Sequence, residues 1–133
     1  SEECARIRDE SGGCKPGEAV ITPGGNLKAG YVIHTVGPIW RGGANRESDI
    51  LRNCYINCLR IADEHNIKSV SFPSISTGAY GYPIEEAAKI AIGTVLEFLP
   101  ETDVREVRFI LYSNMDTGVY LETYGRLSRA EEQ

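Results

Sequence analysis

Phe72-Pro73-Ser74-Ile75-Ser76-Thr77-Gly78-Ala79-Tyr80-Gly81-Tyr82-Pro83 is the joint between a β-strand and an α-helix. Residues 69–73 have the composition of a strand. Pro83 suits the first position of a helix, where its missing N–H leaves nothing unpaired. Glu85 and Glu86 then fall at the positive end of the helix dipole. Ala87, Ala88, Ala91, Val95 and Leu99 recur at the spacing of one packed helical face. Between the two elements, Gly78 and Gly81 permit backbone angles that other residues resist, so successive amides can converge on an anion. Ser76 and Thr77 add hydroxyl donors. This is the physics of a phosphate cradle, although it matches neither a P-loop nor a GxGxxG fingerprint. On spacing alone, a tight strand-to-helix connection would look the same.

The same alternation extends in both directions. Tyr31 to Val36 is β-branched and almost continuously apolar, as expected of a strand covered on both faces. Before it, residues 18–22 read as a short strand closed by Pro23-Gly24-Gly25, and residues 2–9 as a helix ended by Gly12-Gly13. Ser48 is the expected N-cap of a helix running to Glu64, with Ile50, Leu51, Cys54, Cys58, Ile61 and Ala62 on its buried face. Asn66 suits a left-handed C-terminal cap. Downstream, Val104 to Leu111 reads as a strand and Tyr120 to Leu127 as a last helix. The order predicts an α/β fold with a largely parallel sheet and helices on both faces. Ligands in such folds bind beyond the carboxyl ends of the strands, which singles out the loops after Phe72 and Leu111.

A chain of 133 residues is enough for one domain, and its 41% hydrophobic and 25% charged residues fit a soluble globular protein. The net charge of -5 argues against a duplex nucleic-acid partner, which needs clustered Lys and Arg. It leaves room for a small anion held by backbone amides. Cys4, Cys14, Cys54 and Cys58 lack the spacing of a zinc or redox pair and are expected to be core thiols, so no metal is implied. No apolar run approaches the ~18 residues of a membrane span and no signal peptide opens the chain, which makes a reduced cytoplasmic setting the expectation. His34 lies inside a strand pattern and is expected to be structural, despite an ordinary pKa suited to a general base. His65 is expected to be solvated, and Trp40, after a Gly-Pro turn, to pack under the next loop.

Three stretches in order resemble the macro domain family: residues 17–24 (Gly17-Glu18-Ala19-Val20-Ile21-Thr22-Pro23-Gly24), residues 31–38 (Tyr31-Val32-Ile33-His34-Thr35-Val36-Gly37-Pro38), and the loop quoted above. The likeness is closest to the bacterial branch that removes acetyl groups from O-acetyl-ADP-ribose and ADP-ribose from proteins. It implies a three-layer α/β fold with a mixed, largely parallel sheet flanked by helices, residues 1–133 forming one domain. It also implies ADP-ribose or a related diphosphate nucleotide as ligand, with no cofactor. Ser76, Thr77, Gly78, Ala79, Tyr80 and Gly81 match the loop that holds the diphosphate, mainly through backbone amides. Tyr80 matches an aromatic that closes over the distal ribose and phosphates. Tyr112 matches one that packs against adenine, unless it is only a sheet-end aromatic. Asn114, just beyond, is placed to reach the adenosine ribose.

The resemblance further implies that Ser1 falls partway along the family's first helix. An edge strand, an acidic residue that selects adenine, a central strand ending in an Asn-Ala-Ala-Asn-like motif, and a glycine-rich loop carrying a catalytic acidic residue then have no counterpart here. The catalytic residues are accordingly left unassigned. Loss of two charge-assisted hydrogen bonds, at ~1.5–3 kcal/mol each, would weaken binding about a hundredfold or more. The family's central strand lies between those matching residues 31–36 and 69–73. The expectation is therefore a rearranged sheet in which these two pair, or a homodimer that covers exposed strand edges. The competing reading is a non-catalytic fragment whose remaining phosphate loop binds weakly.

Overall fold

The computed structural model describes residues 15–23, 31–77, 80–111 and 113–132, the last three of these by backbone alone. The helix expected over residues 2–9, Cys4, Cys14 and the glycines at 24 and 25 lie outside the described residues.

Two strand pairs carry the fold. Strand β1 (Ala19–Pro23) runs antiparallel to β2 (Tyr31–Thr35), with Val20 opposite His34. The His34 ring meets the Thr22 hydroxyl at 2.9 Å, a cross-strand bond that gives this histidine a structural task. Strand β3 (Ser69–Pro73) runs parallel to β4 (Glu106–Ile110), with Phe72 opposite Phe109 and Pro73 opposite Ile110. Because the pair is parallel, Ser74 and Leu111 leave the sheet side by side. Helix α2 (Ile84–Phe98) follows β3, and α3 (Asn114–Glu132) follows β4, so both helices start at that one end. Helix α3 begins six residues before the expected Tyr120: the Ser113 hydroxyl accepts the Asp116 amide and caps a first turn that the poor helix formers Thr117 and Gly118 disguise in the sequence.

Helix α1 (Glu47–Glu64) links the pairs. On the β1–β2 side, the Asn57 side-chain amide donates to the Gly17 carbonyl at 2.7 Å and the Cys54 thiol to the Val36 carbonyl at 3.3 Å. On the other side, Tyr55 sets its edge against Phe72 at 5.0 Å, and Phe72 stacks on Phe109 at 6.0 Å. Helix α1 also packs on α2, and facing several neighbours widens the buried face. Leu51, Cys54, Cys58 and Ala62 are buried as the spacing predicts, but Tyr55 and Leu59 join them while Ile50 and Ile61 are only half-buried. Burial also raises the Cys54 thiol above its usual pKa, in keeping with a core thiol. The helix ends as Asn66 predicts: this residue is left-handed (φ 57), and the Asn66 and Ile67 amides donate back to Asp63 and Ala62.

The strands expected over residues 18–22, 31–36 and 104–111 form at 19–23, 31–35 and 106–110, and two helix caps also differ from expectation. The N-cap of α1 is Arg46 (φ 62), not Ser48, because the buried Glu47 starts the helix. Pro83 is the N-cap of α2 rather than its first residue, and Glu85 and Glu86 occupy the first turn.

Among the described residues β2 and β3 are not hydrogen-bonded to each other. A cavity of about 1050 Å³ lies between them, lined by residues 31–37 on one side and 69–76 on the other. The rearranged sheet, with these strands paired, is thus not what forms. Helix α1 spans the cavity, reaching the β1–β2 side through Asn57 and Cys54 and β3 through Tyr55. No helix among the described residues is long and apolar enough to cross a membrane.

Candidate functional site

The loop after β3 is built by two left-handed residues, Ser76 (φ 68) and Gly81 (φ 74). Left-handed φ is routine for glycine and uncommon for serine, so Ser76 is held there by its surroundings. The Tyr82 amide closes the loop on the Ser76 carbonyl at 2.9 Å. Thr77 turns its hydroxyl inward onto Ser74 Oγ at 2.7 Å, and Ser74 Oγ in turn meets the Tyr120 hydroxyl at 3.2 Å. Thr77 therefore fixes the loop, and α3 is tied to it through Tyr120. Ser76 Oγ is buried without a hydrogen-bond partner among the described residues. It sits against Gly37, where a Cβ would lie only 2.1 Å from it. Gly78 and Ala79 lie outside the described residues.

The remaining expected residues gather at the same end. Tyr80 is 40% exposed and lines both the large cavity and a smaller one of about 250 Å³ beside Gly37, Arg41 and Glu47. Asn114 is the first residue of α3 and is exposed. Tyr112 lies outside the described residues. The amino ends of α2 and α3 both face this end of the parallel pair, which places two positive dipole ends near the loop. The arrangement suits a phosphorylated anion better than a cation.

A second loop bears on the first and was not singled out by its sequence. Residues 37–46 run from β2 to α1. The Trp40 amide donates to the Tyr80 carbonyl at 2.8 Å, and the indole packs on the Tyr82 ring at 4.7 Å. Burial pushes the Tyr82 phenol up to about 12, so it stays neutral beside Glu86 and Glu47. Glu47, only 2% exposed, accepts the amides of Arg41 (2.9 Å), Gly43 (2.8 Å) and Asn45 (2.6 Å). Those bonds, the Arg41 amide foremost, hold its carboxyl below the usual range although burial opposes them. The available signal was an acidic residue two places after Asn45 in a Gly-Gly loop, which is too common to mark a site.

Comparison with known proteins gives a consistent picture. The sequence model of the macro domain matches residues 1–91. A macro domain-containing protein of Caldanaerobacter subterraneus subsp. tengcongensis is 52% identical over 129 residues, 97% of this chain and 74% of the relative. The O-acetyl-ADP-ribose deacetylase of Salmonella newport is 46% identical, over 90% of this chain and 67% of the enzyme. Among solved structures, a mutant Oceanobacillus iheyensis macrodomain with ADPR superposes at a TM-score of 0.89 and 42% identity, over 96% of this chain and 70% of that one.

Proposed function

This chain belongs to the macro domain family, and from that premise we propose that it recognises ADP-ribose or a derivative through the loop from Ser76 to Gly81. The observation that most supports the reading is the left-handed backbone at Ser76 and Gly81, set between the amino ends of α2 and α3. Left-handed residues let a loop turn its amides toward an anion, and helix dipoles reinforce the attraction, so a diphosphate can bind without a cluster of basic side chains. Tyr80 then closes over the distal ribose, while Tyr112 and Asn114 take the adenosine end. Residues 1–133 act as one macro-like domain in the cytoplasm. The ligand class agrees with the names of the relatives, one a deacetylase of O-acetyl-ADP-ribose and one a macrodomain with ADPR. Hydrolase ancestry follows from the same kinship, and no residue is assigned a catalytic role.

Isothermal titration tests the reading. ADP-ribose should bind with a micromolar Kd, while AMP and pyrophosphate bind more weakly, because each fills only part of the site. Equal, weak heats from all three would leave only a phosphate cradle and refute ADP-ribose recognition.

The cavity between β2 and β3 favours a second reading, a non-catalytic domain whose strand edges are covered by a second copy. Unpaired backbone edges are ready templates for strand addition. On this reading light scattering after gel filtration gives twice the 14.6 kDa of one chain. A well-folded species at the mass of one chain would exclude the homodimer.

A further inference from the structure

We propose that Glu47 is a positioning residue for the ligand loop: its buried carboxylate shapes residues 40–46 into a brace that holds the Tyr80–Tyr82 arm of the phosphate cradle. The inference rests on the ADP-ribose reading for its effect on binding, but the brace itself is a matter of local geometry.

Between Trp40 and α1 the chain makes a turn that its own backbone does not favour. Gly42 and Gly43 both sit at φ 90, and Arg46 at φ 62. A non-glycine residue there costs free energy, so something must hold the turn. Glu47 does so by taking the amides of Arg41 and Gly43 on Oε2 and that of Asn45 on Oε1. An ionised carboxylate is acceptor-only, with lone pairs enough for all three. These hydrogen bonds also offset the cost of removing the charge from water. At the far side of the turn the strand exit at Gly37 and the indole of Trp40 are fixed. A Cβ at Gly43 would lie 2.9 Å from Trp40 Cη2, so the indole lies flush against the turn.

From Trp40 two contacts reach the cradle. Its amide donates to the Tyr80 carbonyl at 2.8 Å, and its ring packs on Tyr82 at 4.7 Å. The Tyr82 amide completes the path on the Ser76 carbonyl. The arm bearing Tyr80 is thus held from outside, by a loop separate in sequence from the cradle. Its orientation depends on one carboxylate at the start of α1.

The test uses Glu47→Gln in the 133-residue chain. Glutamine keeps the shape but presents an NH2 group to backbone amides that need an acceptor, so at least one of the three bonds is lost. The expected result is about tenfold weaker ADP-ribose binding. Trp40, the single tryptophan of the chain, should shift its emission in the same variant. Gly43→Ala, which keeps the carboxylate but pushes on the indole, should do both as well. Asp63→Ala is the control, because Asp63 accepts the Asp103 amide at the opposite end of α1. It should lower the melting temperature and leave affinity and emission alone. Should Glu47→Gln fail to fold, Gly43→Ala decides, and wild-type affinity in that variant overturns the brace. Wild-type affinity with unshifted emission in a folded Glu47→Gln overturns it too. Failure of the wild-type chain to bind ADP-ribose would count against the ligand reading alone. In that case an unshifted Trp40 in Glu47→Gln still refutes the brace.

Discussion

Gly37→Ala should cost the protein most of its ADP-ribose affinity while leaving it folded. Gly37 is buried where β2 gives way to the Trp40 loop, and a Cβ there would lie 2.1 Å from Ser76 Oγ and 2.6 Å from Ile75 Cγ2. Contacts that short force a movement. The movable part is the ligand loop, since Gly37 is anchored by β2 on one side and the Trp40 loop on the other. Ser76 cannot yield freely: it is already left-handed, and its carbonyl accepts the Tyr82 amide. Overpacking of this kind costs about 1–3 kcal/mol. If that cost falls on the loop in its binding conformation, affinity drops about ten- to a hundredfold. Titration calorimetry with ADP-ribose reads the effect, and a melting curve shows how much of it is stability. Gly37→Ala combined with Ser76→Ala should recover part of the loss, because the nearest clashing atom is gone. Unchanged affinity in the single variant would mean that the loop has slack and that the tight approach at Gly37 is unimportant for binding.

The sequence revealed the elements better than it revealed the contacts between them. The strands at residues 19–23, 31–35, 69–73 and 106–110 stand within two residues of the stretches that announced them. Asn66 announced the end of α1 because a left-handed cap is a local event. The start of α1 was misplaced at Ser48 for the opposite reason. Ser48 carries the local capping signal, but Glu47 satisfies amides of a preceding loop, and nothing within the helix pattern encodes that loop. Tyr55 and Leu59 escaped the predicted buried face because a single stripe assumes one neighbour, and α1 packs on both strand pairs and on α2. At the site, the glycines and hydroxyls marked the loop itself. The tie of Ser74 to Tyr120 and the support of Tyr80 by Trp40 join residues some 40 or more positions apart, which spacing along the chain does not report. The relation of β2 to β3 was the least legible part. Pairing rules offered several outcomes, and α1 meets both strand pairs through Asn57, Cys54 and Tyr55, contacts that spacing does not report.

Phe72→Ala should produce the largest loss of stability of any single change in the described core. Phe72 is 4% exposed and sits between Tyr55 of α1 and Phe109 of β4, its partner across the parallel pair. Truncating a buried phenylalanine costs about 3–5 kcal/mol, from lost transfer free energy and the cavity left behind. Domains of this size are stable by about 5–15 kcal/mol, so the change removes a large share. The melting temperature should fall by roughly 10 °C or more. Phe72→Leu should cost much less, because volume is largely kept. Ser71→Ala, on an exposed neighbour, should be within about 0.5 kcal/mol of the wild type. Phe72 also ends the strand from which the ligand loop departs, and Phe109 continues the packing to Tyr120, whose hydroxyl meets Ser74. The aromatic row therefore fixes the base of the loop as well as the core. A ligand that binds only the native state at a hundred times its Kd restores about 2.7 kcal/mol. Saturating ADP-ribose should thus raise the melting temperature of Phe72→Ala, provided the loop keeps its shape once the chain is folded. A variant that melts within a few degrees of the wild type would show that Phe72 is not the keystone of this core. One that melts early and is not raised by ligand would show instead that core and cradle fail together, as expected if the loop's geometry is set by the strand end beneath it.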